Sequence, residues 1–419
     1  MRISTIQAFN NGVAGIQRNY ANATRTQEQI STGNRILTPA DDPVASVRLL
    51  QLEQQQNVLT QHKDNLTAAN NSLTQEEVTL NSVNTILQRV RELAVQAGNG
   101  ALSQADRQSI AAELGAREEE LFGLMNTRNA RGEYLFAGFQ GKTQPFVREG
   151  DGSYSYQGDE GQRKLQVASS LDLAISDSGK KIFQNVIDAG RLASAVTTSP
   201  LPAGSTLGVS APLVQDEVAF AAMPFPSAGI GIRFTSATQY EVYDLGATAP
   251  APALTSGVVD DDPDTQDEVV FAGVLVKFEG VPAGGENIEI TPRIDPLTGQ
   301  SQQKQGILST IANLRTALEN PATGSQVNDA VAVALTNLDH GMTTVDSVRG
   351  EIGARLNIID STQTDNEDVT LVNKSVQADL RELDYAEALS RLSFQSIVLE
   401  ASQQSYVKIA GLSLFNQLR

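Results

Sequence analysis

Few residues in this sequence could do chemistry, and each group has a plainer reading. Asp260-Asp261-Asp262-Pro263-Asp264 puts four carboxylates within five residues, a composition that suits calcium. It lacks the ligand–Gly–Glu order of a helix–loop–helix calcium site, and Pro263 stiffens the wrong place, so an exposed acidic loop is the default. Asp339-His340 beside Ser and Thr could pass for part of a catalytic triad, but it falls inside a helical heptad run, where an exposed histidine is the commoner case. Asn22-Ala23-Thr24, Asn65-Leu66-Thr67, Asn70-Asn71-Ser72 and Asn373-Lys374-Ser375 match the N-glycosylation pattern. All four fall on expected helices, and so short a pattern recurs by chance. There is no Gly-rich phosphate loop, no nucleophile paired with a base and no basic patch. The sequence points to no catalytic residue, no metal site and no cofactor.

Composition narrows the field in the same direction. The 419 residues include no Cys, no Trp, 4 Met and 2 His, with a formal net charge of −18. Without Cys there is no thiol catalysis, thiolate metal site or disulfide. The acidic balance opposes binding to nucleic acid or to an anionic membrane, since both are polyanions. Residues 204–290 hold 13 Asp and Glu against only Arg233 and Lys277, as expected of an exposed, solubilising surface. The N-terminus lacks the apolar core of a signal peptide, and no apolar run approaches membrane-spanning length. A soluble chain is expected, either cytoplasmic or exported by a route that needs no Sec signal.

The elements that organise the chain are long helices. Ile6, Phe9, Val13, Ile16, Tyr20, Ala23, Gln27 and Ile30 alternate three and four apart, the spacing of a helix packed lengthwise on another. Ser31-Thr32-Gly33-Asn34 stops it, with Gly33 able to take the left-handed conformation. A linker carrying Arg35 follows, and Asp41-Asp42-Pro43 then reads as a hinge and cap, Asp42 at the N-cap and Pro43 in the first turn. From Pro43 to Ala97, Leu52, Leu59, Leu66, Leu73, Leu80, Leu87 and Ala94 recur every seventh residue, a rod about 80 Å long. Its second stripe is half polar, with Gln55, His62 and Glu76. Ser103 to Asp106 has capping-box spacing and opens a third helix with Ile110, Leu114, Leu121 and Leu124, Arg117 lying between them.

Residues 145–300 change character to short strands and turns. Strands are expected at 153–157, 163–168, 229–235, 239–245, 269–278 and 287–291, with 247–252 and 260–264 as loops. Helical spacing returns at Ile307, Ile311, Leu314 and Leu318, and then in a run from Val331 to Ile359 that carries Arg349 in its seam. The last helix carries Tyr385, Leu389, Leu392, Leu399 and Tyr406 and ends in Leu412, Leu414 and Phe415. The expected fold class is α+β multidomain: heptad-bearing helices from both ends form coiled-coil and helical-bundle rod domains around a central mainly-β insertion. The expected divisions are 1–42 with 376–419, 43–145 with 305–375, and 146–304. The two sticky ends suit assembly, with seams of Ile6, Phe9, Val13, Ile16, Tyr20 and Ile30 on one side and of the final helix's residues on the other.

Several motifs carry a family resemblance. Met1-Arg2-Ile3-Ser4-Thr5, the segment Ser31 to Leu37 and Pro39-Ala40-Asp41-Asp42-Pro43 resemble the N-terminal region of the bacterial flagellin superfamily. Tyr134-Leu135-Phe136-Ala137-Gly138 with Pro145-Phe146, and Asp384-Tyr385-Ala386-Glu387-Ala388 with Leu412-Ser413-Leu414-Phe415, are similar to its hook–filament junction family. That resemblance implies an extracellular structural subunit of the flagellum, exported unfolded through the flagellar type III channel with an export chaperone. It implies a ring of copies between another hook-associated protein and the flagellin filament, needed for filament assembly and swimming motility. Flagellin itself is the nearest rival reading, and a secreted flagellin-like hydrolase a more distant one, for which the sequence offers no His-Glu metal motif.

Overall fold

The computed structural model describes residues 2–198, 206–223, 225–248, 250–260, 262, 266–294, 299–320 and 323–415. The chain divides into two compact units, Met1–Leu66 with Asp360–Arg419, and Thr67–Ile359. Its helices are α1 (Arg2–Thr32), α2 (Pro43–Ala97), α3 (Gln104–Met125), α4 (Glu217–Ala222), α5 (Ile307–Glu319), α6 (Gly324–Arg381) and α7 (Tyr385–Phe415). Short antiparallel strands fill the middle of the chain, so the fold is α+β, with long helices at both ends and an inserted β region.

In the unit 67–359 the heptads of α2 form a dry core. Leu73, Leu80, Leu87 and Ala94 are completely buried, and so are Ala69, Val83 and Val90 of the second stripe. Val345, Ile352 and Ile359 of α6, Leu114 and Leu121 of α3, and Ile311 and Leu318 of α5 are buried with them. Ion pairs line the edges: Arg91 to Asp339 at 2.7 Å, Arg89 to Glu113 at 2.8 Å and Arg349 to Glu77 at 2.9 Å. Arg349 keeps its place in the α6 seam because Glu77 is there to receive it. On α3 the polar seam position belongs to Glu118 and not to Arg117. Glu118 is buried and receives Arg315 at 2.9 Å and Arg148 at 3.2 Å, while Arg117 turns outward to Glu120. The expected capping box forms, with Ser103 and Asp106 satisfying each other's backbone amides.

The β region shares one apolar core between two sheets. In the five-stranded sheet the order is Ala253–Val258, Gln239–Asp244, Ile230–Phe234, Asn287–Pro292, Leu192–Val196, all antiparallel. Ile230, Ile232, Val242, Ile288 and Ile290 point to the buried side, and Phe234 meets Phe278 of the second sheet edge to face at 5.5 Å. The expectation of a single strand over 269–278 is wrong. The segment is a hairpin of Asp267–Phe271 with Val274–Glu279, turning on Ala272 and Gly273, whose φ angles are 49° and 74°. Two consecutive positive φ values are what a two-residue hairpin requires. The apolar residues flanking Ala-Gly disguised the turn as one buried run.

The aromatic segment before the β region forms a small core of its own. Phe136, Phe146 and Phe183 are buried with their rings edge to face, 5.1 and 5.8 Å between centroids. Phe183 comes from Lys180–Gln184, a single π-helical turn. Gly138 has φ +69°, and a Cβ there would lie 2.3 Å from the Asp159 carboxylate. That carboxylate accepts the amides of Phe139, Gln140 and Gly161, which hold its pKa below the ordinary value against the opposing effect of desolvation. The glycine of the Tyr-Leu-Phe-Ala-Gly motif is therefore required both for its backbone angle and for the approach of Asp159.

Candidate assembly site at the chain ends

The unit formed by the two ends is built from α1 against α7, with the corner that joins them to α2 and α6. The terminal helices run antiparallel: Phe9 packs on Tyr406 with ring centroids 5.2 Å apart, and Asn19 Nδ2 donates to Ser402 Oγ at 3.1 Å. Gly12 makes room for this contact, since a Cβ there would stand 3.1 Å from the Tyr406 ring. Val13, Ile16, Ala23 and Ile30 on α1, and Leu392, Leu399 and Tyr406 on α7, are half-buried. Tyr20, Tyr385 and Leu389 are exposed although the heptad spacing places them in the seams, and Phe9 stays half exposed despite its ring contact. The side chains of Ile6, Leu412, Leu414 and Phe415 lie outside the described residues.

The corner is a network of backbone pairs. Gly33 closes α1 with φ +70°; its carbonyl accepts the amide of Leu383 at 3.0 Å, and the Arg35 amide donates to the Arg381 carbonyl at 2.8 Å. Arg381 Nε donates to Asn34 Oδ1 at 3.0 Å, and Arg35 reaches the Leu380 carbonyl. Asp41 receives the amides of Leu37 and Thr38 on one oxygen and pairs with Arg25. Asp42 Oδ1 accepts the Ala45 amide at 2.9 Å and so caps α2, and Arg35 lies 3.8 Å from its other oxygen. Pro43 opens α2, where its missing N–H leaves no bond unmade. A polar cavity of about 390 Å³ among Arg25, Arg35, Asp41, Asp42, Arg391 and Gln395 marks the corner. Its acidic groups already face arginines, Asp41 with Arg25 and Asp42 with Arg35, and the Thr26 hydroxyl is taken up by the Asn22 carbonyl.

Sequence reasoning missed Asp384, which opens α7. Its Oδ1 accepts the amides of Ala386 and Glu387 at 2.9 and 3.1 Å, and its carbonyl takes that of Ala388. The signal was present: Asp384 followed three residues later by Glu387 has capping-box spacing. Leu383 and Ala388 on either side of the cap are buried.

The groups singled out for chemistry have structural partners. Asp339 is taken up by Arg91, and His340 Nδ1 lies 3.0 Å from the Ile187 carbonyl. Asn373 is buried, which places that glycosylation pattern out of reach. Residues 261 and 263–265 of the acidic loop lie outside the described residues. Among the described residues no group of three or more His, Asp or Glu could hold a metal ion, and no helix is long and apolar enough to cross a membrane.

A family model for the bacterial flagellin N-terminal helical region matches residues 3–141. Flagellar hook-associated protein 3 of Escherichia coli is 35% identical over 186 residues, covering 44% of this chain and 58% of that protein. The chain thus spans less than two thirds of that relative's length. Hook-associated protein 3 of Legionella pneumophila superposes with a TM-score of 0.61 at 26% identity, covering 79% of this chain and 98% of its own. A second structure from that organism, described as the flagellar junction protein FlgL, gives 0.58 at 27% identity, covering 80% of this chain and all of its own. With the helical ends, the corner and the Tyr134–Gly138 segment in place, the chain is similar to the bacterial flagellins in its N-terminal helical region and to hook-associated protein 3 and flagellar junction proteins over much of its length.

Proposed function

We propose that this chain is a structural subunit of the bacterial flagellum that joins hook to filament as a ring of copies. The observation that carries the reading is its likeness to a junction protein at 27% identity over the whole of that protein's length. In this reading the chain has three layers. Residues 1–42 with 376–419 form the inner layer, 43–145 with 305–375 the rod, and 146–304 the outer β layer. The ring contacts another hook-associated protein on one side and flagellin on the other. The chain leaves the cell through the flagellar export channel, with a chaperone to hold it before export. Its work is mechanical, and no residue is assigned a catalytic role.

Physical features fit this role. A long antiparallel helix pair with few other neighbours is marginal alone and gains stability from copies packed beside it. The absence of cysteine suits a chain that is threaded unfolded and refolds outside. Immunogold labelling of flagella with an antibody against residues 146–304 tests the reading. Label confined to the boundary between hook and filament is expected; label along the whole filament would make the chain a filament subunit instead.

A further inference from the structure

Two Asn-Gly pairs occur in the chain, Asn11-Gly12 and Asn99-Gly100, and the fold treats them differently. Asn11-Gly12 lies inside α1, where helical hydrogen bonding occupies the Gly12 amide. Asn99-Gly100 lies in the exposed turn between α2 and α3. There the Asn99 amide donates to the Gln96 carbonyl at 3.2 Å, and the Asn99 carbonyl accepts the Leu102 amide at 3.1 Å, so the backbone is held on both sides. The side chain is held as well: Asn99 Oδ1 accepts the Ala101 amide at 3.1 Å. To reach an amide two residues on, it folds back over the intervening peptide, which sets its Cγ beside the Gly100 nitrogen. The Gly100 amide makes no hydrogen bond among the described residues, and a Cβ built there would meet nothing within 4 Å.

The parts of a cyclisation therefore meet in this turn. The Gly100 nitrogen is a nucleophile that is neither bonded nor hindered, and Asn99 Cγ is the carbon it reaches. The Ala101 amide already donates to the oxygen on which negative charge gathers as the new bond forms, the arrangement that stabilises acyl-transfer intermediates. Two other turns carry part of the set. Asn129 has the same fold-back, with Oδ1 accepting the Arg131 amide at 2.9 Å, but Ala130 follows it and its side chain crowds the attack. Asp151-Gly152 has the fold-back and the glycine, but the Gly152 amide is taken up by the Glu149 carbonyl at 3.0 Å. Hydrogen bonds from the Ser153 hydroxyl and amide also hold the Asp151 carboxyl below its ordinary pKa, so at neutral pH it is an ionised carboxylate and a poor electrophile.

We propose that Asn99 is a site of spontaneous deamidation and isoaspartyl formation, set up by the turn it occupies. The Gly100 nitrogen gives its proton to solvent and bonds to Asn99 Cγ. The bond from Cγ to Nδ2 breaks, and ammonia leaves with a proton from solvent, which closes a succinimide ring. Water then opens the ring at either carbonyl and leaves an aspartyl or an isoaspartyl residue. Both products put a new negative charge just past the C-terminus of α2, whose last turn has no basic residue to offset it. The isoaspartyl product also lengthens the main chain ahead of the Ser103 capping box. The reaction needs only water and goes forward whatever the chain assembles with.

The full chain tests this, incubated folded in mildly alkaline buffer beside a sample unfolded in urea. Peptide mass spectrometry follows Asn99 and Asn129, and a carboxyl methyltransferase specific for isoaspartate labels the product. In the folded chain Asn99 is expected to convert roughly tenfold or more faster than Asn129, and no more slowly than it does in urea. Gly100→Ala, whose added Cβ has open space, should fold normally and lose the conversion. Conversion at Asn99 no faster than at Asn129, or slowed severalfold by folding, would overturn the proposal. So would conversion at the wild-type rate in Gly100→Ala.

Discussion

Replacing Gly33 with alanine is expected to loosen the corner at which α1 ends and α7 begins. Gly33 has φ +70°, where an L side chain costs ~1–2 kcal/mol. The new Cβ would also lie 2.9 Å from the Tyr385 hydroxyl, a contact that yields cheaply because it is the far end of an exposed side chain. The backbone angle therefore sets the size of the effect. The Gly33 carbonyl accepts the Leu383 amide and the Arg35 amide donates to Arg381, so these two protons report the corner directly. A loss of ~1–2 kcal/mol corresponds to roughly 5–30-fold faster opening. Native-state hydrogen exchange of Leu383 and Arg35 should show it. Gly15→Ala is the control: a Cβ there meets nothing within 4 Å, and in a helix interior alanine is favoured by ~0.5–1 kcal/mol. The two substitutions are thus expected to act in opposite directions. Unchanged exchange at Leu383 in Gly33→Ala, or equal acceleration by Gly15→Ala, would refute the argument.

Glu76 is buried, and desolvation followed by the nearby Asp177 carboxylate pushes its pKa well up, against the opposing pull of Arg355 and Arg163. A group with a raised folded pKa contributes stability that is complete below its ordinary pKa and is lost as pH rises through the raised one. Glu76→Gln keeps the oxygen that accepts the Asp177 amide, so it should raise the thermal midpoint at pH 8 and change little at pH 4; an equal shift at both would contradict this. Asp384→Ala removes the acceptor for two amides and should cost about 1 kcal/mol, read as faster exchange at Ala386 and Glu387 with no change in the strands. Ile16→Asp or Leu399→Asp should block assembly while circular dichroism keeps the signal of the rod; assembly at the wild-type level by either variant would remove the terminal seam from the account.

The helical half of the fold was legible because heptad spacing repeats over many turns. Pro43–Ala97 appears with the expected bounds, and of the polar members of its second stripe His62 and Glu76 are buried while Gln55 is exposed. The β region was less legible, since its strands are short and its turns use weak signals. Ala272-Gly273 turns a hairpin without the Asn-Gly or Asp-Gly pair that usually announces one. Leu192–Val196 and Ala253–Val258 are edge strands in which one Leu and one Val stand among Ala, Ser, Thr and Gly, with no alternation strong enough to find them. At the chain ends, spacing identified the half-buried seam residues Ile16, Leu392 and Leu399 but also assigned Tyr20 and Leu389, which face outward. A heptad pattern specifies a stripe, and a second apolar stripe beside it leaves the facing side undecided.

The central claim is that the filament grows on this chain, and deletion of its gene in the host tests that most directly. Microscopy of the cells and an assay of the medium for flagellin give the answer together. The account predicts bald hooks with flagellin monomers shed into the medium, because export continues while nothing receives the subunits. Bald hooks with no shed flagellin would mean that the chain is itself the filament subunit, and normal filaments would contradict the account outright.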